Sequence, residues 1–119
     1  MRIPAKLYEV MSCETDRLLD RLNEAIALDF TNARDNGPSL HPSPDVVRAT
    51  ADAHDEFERL LDRLRDAGGE RFLGNRKPLE PGASLSVVYT RAMPLVRRIT
   101  HMLRDAVPQI EEDSFSSAA

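Results

Sequence analysis

Four arginines and a histidine near the C-terminal end are spaced so as to gather positive charge on one side of a helix. Indexed at about 100° per residue, Arg91 and Arg98 flank an apolar stripe, Arg97 and Arg104 lie across from it, and His101 falls between the pairs. The band spans an arc of about 140°. Guanidinium groups stay charged at any working pH and donate in a planar fork, so such a band suits carboxylates or phosphates. It could seat the acidic faces of the chain's own helices, the acidic surface of another protein, or nucleic-acid phosphates. A second basic group, Arg71, Arg76 and Lys77, falls in a Gly- and Pro-rich connection and forms a candidate anion- or partner-contacting tip.

Other residues with chemical potential are less well supported. His54 and Glu58 share a helix face at i and i+4 beside Asp55, a pattern that any acidic helix produces and that supplies too few ligands for a metal centre. Gly69-Glu70-Arg71-Phe72-Leu73-Gly74 has the glycine spacing of a phosphate-binding loop. Asn75-Arg76 then stands where Lys-Ser/Thr is required, and a helix pattern precedes the glycines in place of a strand. Cys13 sits beside Glu14, whose charge disfavours a thiolate nucleophile. No Ser-His-Asp arrangement or paired-carboxylate motif stands out. The expectation is a protein that is not an enzyme and uses neither metal nor cofactor.

One short stretch, His101-Met102-Leu103-Arg104, resembles the phospho-accepting segment of histidine phosphotransfer domains, which are small acidic helical bundles with a His followed by Leu and a basic residue. That resemblance implies phosphoryl transfer through His101. It covers four residues, and it departs from the family where Asp105 replaces a small residue, often Gly, and would repel an incoming phosphoryl group.

These side chains must be positioned by helices. The 119 residues suit one domain, with a 41% hydrophobic and 30% charged composition and few aromatics. Leu7, Tyr8, Met11, Leu18, Leu19, Leu22, Ala25 and Ile26 fall on one arc and predict a helix from Ala5 to about Asp29, with Ser12–Asp16 as a possible break. Turn formers from Thr31 to Ser43 predict a loop. Ser43-Pro44-Asp45 supplies a capping hydroxyl, a first-turn proline and a carboxylate at the positive helix end, and Val46, Thr50, Ala53, Phe57, Leu60, Leu64 and Ala67 follow in three-four steps. Gly68-Gly69 ends that helix. In the connection to residue 83, Phe72, Leu73 and Leu79 can pin the chain to the core.

The third stripe is Leu85, Val88, Ala92, Leu95, Ile99, Met102 and Ala106, capped by Ser84 and interrupted by Pro94, which predicts a bend. A β-strand over Ser84–Thr90 is the competing expectation, because the segment is rich in β-branched residues. The block Arg-Leu-Leu-Asp-Arg-Leu occurs at Arg17–Leu22 and again at Arg59–Leu64, and Arg17–Ala25 matches Arg59–Ala67 at seven of nine positions. This similarity is what two amphipathic helices, or a duplicated helical unit, would give.

Together these features predict an all-α, antiparallel bundle of three long amphipathic helices over residues 1–107, the third kinked at Pro94, with long loops and a flexible acidic tail over 108–119. The net charge of −4 divides unevenly, with the first two helices each at −3 and the third at +3. One cysteine, no signal-like leader and no apolar run near the roughly 20 residues of a membrane span predict a soluble cytoplasmic protein. Val47, Leu61, Tyr89, Val96 and Leu103 widen the apolar faces beyond a seam, which predicts burial in a homodimer or against another protein. The expected role is a protein-protein interaction or regulatory protein, such as an adaptor, inhibitor or partner-specific chaperone. A nucleic-acid-binding regulator is the alternative, made less expected by the acidic balance and the absence of a reading motif.

Overall fold

The computed structural model describes residues 2–37, 42–73 and 79–109. Its elements in chain order are strand β1 (Arg2–Pro4), helix α1 (Ala5–Asn36), helix α2 (Pro44–Asp66), a 3-10 turn (Glu70–Phe72), helix α3 (Leu85–Asp105) and strand β2 (Val107–Gln109). The protein is mostly helical, as the three apolar stripes require.

Helix α2 begins and ends where its local chemistry dictates. Ser43 accepts a hydrogen bond from the Val46 amide at 3.3 Å, Pro44 opens the first turn, and Asp45 faces the positive end of the dipole. Beyond Ala67, Gly68 takes a φ of 85°, and Gly69 packs so closely that a Cβ there would lie 3.0 Å from both the Leu64 carbonyl and the Leu7 side chain. The tight turn into residue 70 therefore uses both glycines.

Helix α1 is longer than the sequence pattern suggests and has no break at Ser12–Asp16. Residues 31–36 continue the helix, where turn-forming side chains predict a loop. Thr, Asn, Ala, Arg and Asp can all occupy a helix; the first residue that forces an exit is Gly37, at φ 76°. Asn32 also secures the last turns. Its side-chain amide donates to the Leu28 carbonyl at 2.9 Å and to Ser43 Oγ at 2.8 Å, joining α1 to the start of α2.

The core draws on all three helices. Leu7, Met11, Leu18 and Leu22 of α1, Phe57, Leu60 and Leu64 of α2, and Val88, Leu95 and Ile99 of α3 are buried in one cluster. Leu73 and Leu79 join it and hold the described parts of the 68–83 connection against the helices; the Phe72 side chain, expected to do the same, lies outside what is described. Ile26 does not follow the expected stripe, being 40% exposed, and residues 26–36 contribute no buried side chain. The lengths explain this: at about 1.5 Å per residue α1 runs roughly 48 Å against about 32 Å for α3. Part of the surplus apolar surface is absorbed within the chain, since Leu61 and Val96 are buried, whereas Val47 and Tyr89 remain exposed.

An unexpected feature joins the two ends of the chain. β1 pairs in parallel with β2, Arg2 opposite Val107, Ile3 opposite Pro108 and Pro4 opposite Gln109, and it buries Ile3 to 1% exposure. Pro108 and Gln109, expected in the flexible tail, thus belong to a strand; the rest of that expected tail, residues 110–119, lies outside the described residues. Among the described residues no helix is long and apolar enough to cross a membrane.

Candidate functional site

The segment that carries the arginine band is helical, which decides where its charges go. Ser84 accepts from the Val87 amide at 3.3 Å and starts the helix, and Val88, Ala92, Leu95 and Ile99 then bury completely on one side. The competing strand over Ser84–Thr90 does not form; the helix runs from Leu85 to Asp105. Because the core claims the stripe, Arg91, Arg97, Arg98, His101 and Arg104 are all exposed, and Pro94 lies on the exposed side with them.

Charge pairing distinguishes this face from the rest of the molecule. Among the described residues the arginine ion pairs of α1 and α2 are Arg17–Glu14 at 4.0 Å, Arg21–Glu24 at 3.5 Å, Arg34–Asp35 at 3.1 Å, Arg59–Glu14 at 3.2 Å and Arg65–Asp62 at 3.2 Å. None of the four α3 guanidinium groups joins an ion pair among the described residues. Among the described residues no carboxylate of α1 or α2 lies within ion-pair distance of the band. Arg2, Lys6, Arg48 and Arg63 also stand outside these pairs, but they are spread singly over β1, α1 and α2. Arg71 lies in the 3-10 turn, exposed and already engaged in an interaction, while Arg76 and Lys77 lie outside the described residues. The proposed basic tip is thus represented here by Arg71 alone.

Two concavities adjoin the start of α3. A recess of about 340 Å³ is walled by the turn from Leu79 to Ala83 together with Val87 and Arg91. A larger cleft of about 570 Å³ lies between the N-terminal halves of α2 and α3, with Val46, Val47 and Leu85 on its apolar side and His54 and Asp55 on its polar side. Sequence periodicity gives no sign of either, because both depend on how the 79–84 turn docks onto the helices.

His54 holds that turn in place. Its Nε2 lies 3.0 Å from the Leu79 carbonyl oxygen and its Nδ1 lies 3.4 Å from Asp55 Oδ1, so both nitrogens face acceptors. Only the imidazolium donates from both. The Leu79 carbonyl raises the pKa above the ordinary 6.5, burial opposes it, and Asp55 and Glu58 add to the rise. A pKa raised on folding gives stability that is complete below pH 6.5 and is lost as pH climbs through the folded value. Urea titrations of wild type and His54→Ala should therefore differ most near pH 5.5 and converge at alkaline pH. A gap that widened with pH would contradict this role. Among the described residues no three His, Cys, Asp or Glu side chains converge as a metal site, and His54 and Glu58 are both half-buried on α2.

The exposure of the α3 arginines was legible from helical indexing. The recess beside Val87 was not. Cys13 is exposed on α1. No family model matches the chain, and neither a curated protein nor a solved structure resembles it closely enough to indicate relationship.

Proposed function

We propose that this protein acts by binding an acidic surface of another protein through the exposed face of α3, as an adaptor, inhibitor or partner-specific chaperone and not as a catalyst. The observation that carries the reading is the row of four exposed guanidinium groups without ion pairs among the described residues, in a chain whose net charge is −4. In this reading the three helices form an antiparallel bundle, consistent with the short 37–43 connection between α1 and α2, and Pro94 bends α3. The bend would turn the arginine face outward, because a proline lacks the donor that closes the preceding turn.

A protein partner suits this distribution better than a nucleic acid. From Arg91 to Arg104 the band extends about 20 Å, and beyond it the acids of α1 and α2 would repel a long polyanion. A compact acidic patch meets only the arginines. The test is a fluorescence-anisotropy titration with a labelled twelve-residue glutamate-rich peptide and, in parallel, a labelled 20-base-pair duplex. Replacing Arg97, Arg98 and Arg104 together by Ala should weaken the peptide about tenfold or more, roughly 1.4 kcal/mol, with unchanged helicity by circular dichroism. Equal affinity of the triple variant would reject the face as a binding surface. Tighter binding of the duplex than of the peptide at the same salt would transfer the face to nucleic acid.

A further inference from the structure

The arginine face is not uniformly polar, and a recess at its N-terminal end bears on what would lie on it. Val87, Pro94 and His101 are seven residues apart and form a line free of arginines along α3. Arg91 and Arg98 run along one side of that line and Arg97 and Arg104 along the other, by helical indexing. A seven-residue repeat with cations on both flanks is the arrangement by which one helix receives another: the seam takes apolar contacts, and the flanks take opposite charges.

The seam begins at the recess. Val87 is 44% exposed although apolar, and it forms one wall of the 340 Å³ space whose other walls are the 79–83 turn and Arg91. Leu79, itself buried, Pro81 and Ala83 add apolar lining beside Val87. Arg91 follows Val87 by four residues and so sits one turn along on the same side of the helix. Glu80 is the single acid of the lining and would repel an incoming carboxylate at its own edge, leaving the Arg91 edge as the place for one. An apolar side chain entering here loses water on several sides at once, which is how a few central anchors come to dominate binding energy.

We propose that the surface receives a short acidic amphipathic helix, one apolar side chain of which enters the recess beside Val87 while a neighbouring carboxylate meets Arg91 and later carboxylates meet Arg98, Arg97 and Arg104. This rests on the reading of α3 as the binding face and adds to it the kind of partner and its anchor. Charge complementarity selects the acidic flanks. The apolar recess at one end of the seam selects a single greasy residue and fixes which way round the partner lies.

The test uses two fluorescein-labelled fourteen-residue peptides, both helix-prone and glutamate-rich, identical except for one Leu or Ser at the anchor position. Anisotropy titrations are run against wild type, Val87→Ser, Arg91→Gln and the triple variant Arg97→Ala/Arg98→Ala/Arg104→Ala. The expected result is a Leu peptide that binds wild type about tenfold more tightly than the Ser peptide, and a preference that falls to near unity in Val87→Ser. Arg91→Gln should weaken both peptides. Val87 is exposed, so its replacement should leave the melting temperature unchanged, which a thermal scan verifies.

If the triple variant weakens both peptides but Leu and Ser bind wild type alike, the anchor is overturned and the binding face stands. If the Leu preference survives in Val87→Ser, the anchor lies elsewhere and the recess is rejected. If the triple variant binds both peptides as wild type does, the face and the anchor fail together.

Discussion

Leu60→Ala should destabilise the protein by about 2–5 kcal/mol, the cost of truncating a fully buried leucine. Leu60 is fully buried in the C-terminal half of α2, in the cluster that also contains residues of α1 and α3. Its shortening leaves a cavity that neighbours on three separate elements cannot close together, so the cost exceeds the transfer energy of the lost carbons. The urea midpoint should fall while the slope stays constant, because the surface exposed on unfolding hardly changes. Val47→Ala on the same helix is the control. Val47 is 52% exposed, and its truncation should stay within about 0.5 kcal/mol. A cost below about 1 kcal/mol for Leu60→Ala would mean that the three helices do not share one core.

The second large effect separates breaking an ion pair from replacing it. Glu14 is 7% exposed on the α2-facing side of α1, with Arg59 Nε 3.2 Å from its Oε2 and Arg17 at 4.0 Å. The Arg59 contact is close in distance but not aligned as a hydrogen bond, since Oε2 has no such partner. A buried carboxylate held by ion contact alone recovers little of its desolvation cost. Arg59→Met keeps the aliphatic stem, removes the charge and strands Glu14; about 1–2 kcal/mol should be lost. That is less than for a fully buried pair, because the Arg59 side chain is 45% exposed. Glu14→Leu should be neutral or stabilising, since it removes the buried charge and frees Arg59 to solvent. Urea denaturation at pH 7 reads both. Equal losses from the two substitutions would show that the pair is a plain attraction and not a tolerated burial.

These two sites also show which parts of the fold can be read from sequence. The stripe through Phe57, Leu60 and Leu64 is bounded by Ser43-Pro44-Asp45 and Gly68-Gly69, so α2 follows from residues adjacent in the chain. α3 follows likewise from Ser84 and its own stripe, even though Leu85–Thr90 has β-branched character. Glu14 and Thr15 look like faults in α1 when read locally. The side chain that accommodates Glu14 is Arg59, which leads the second copy of the repeated block and meets Glu14 only after folding.

The end of α1 depends in the same way on a distant contact, Asn32 with Ser43, eleven residues away. β1 and β2 are three residues each, separated by most of the chain, and each contains a proline; neither carries a strand-like pattern of its own. Of the candidate site, the exposed arginines follow from angular position alone. The recess is built by a turn that His54 and Leu79 dock against α2, a geometry no spacing rule encodes.

The central claim, that α3 presents its arginines to an acidic partner, is tested most directly by NMR of the arginine side-chain Nε–H groups during titration with the glutamate-rich peptide. The account predicts that signals of Arg91, Arg97, Arg98 and Arg104 shift with peptide while those of Arg17, Arg21 and Arg59, committed to internal carboxylates, stay in place. Shifts confined to the α1 and α2 arginines, with the α3 signals unmoved at saturation, would contradict it.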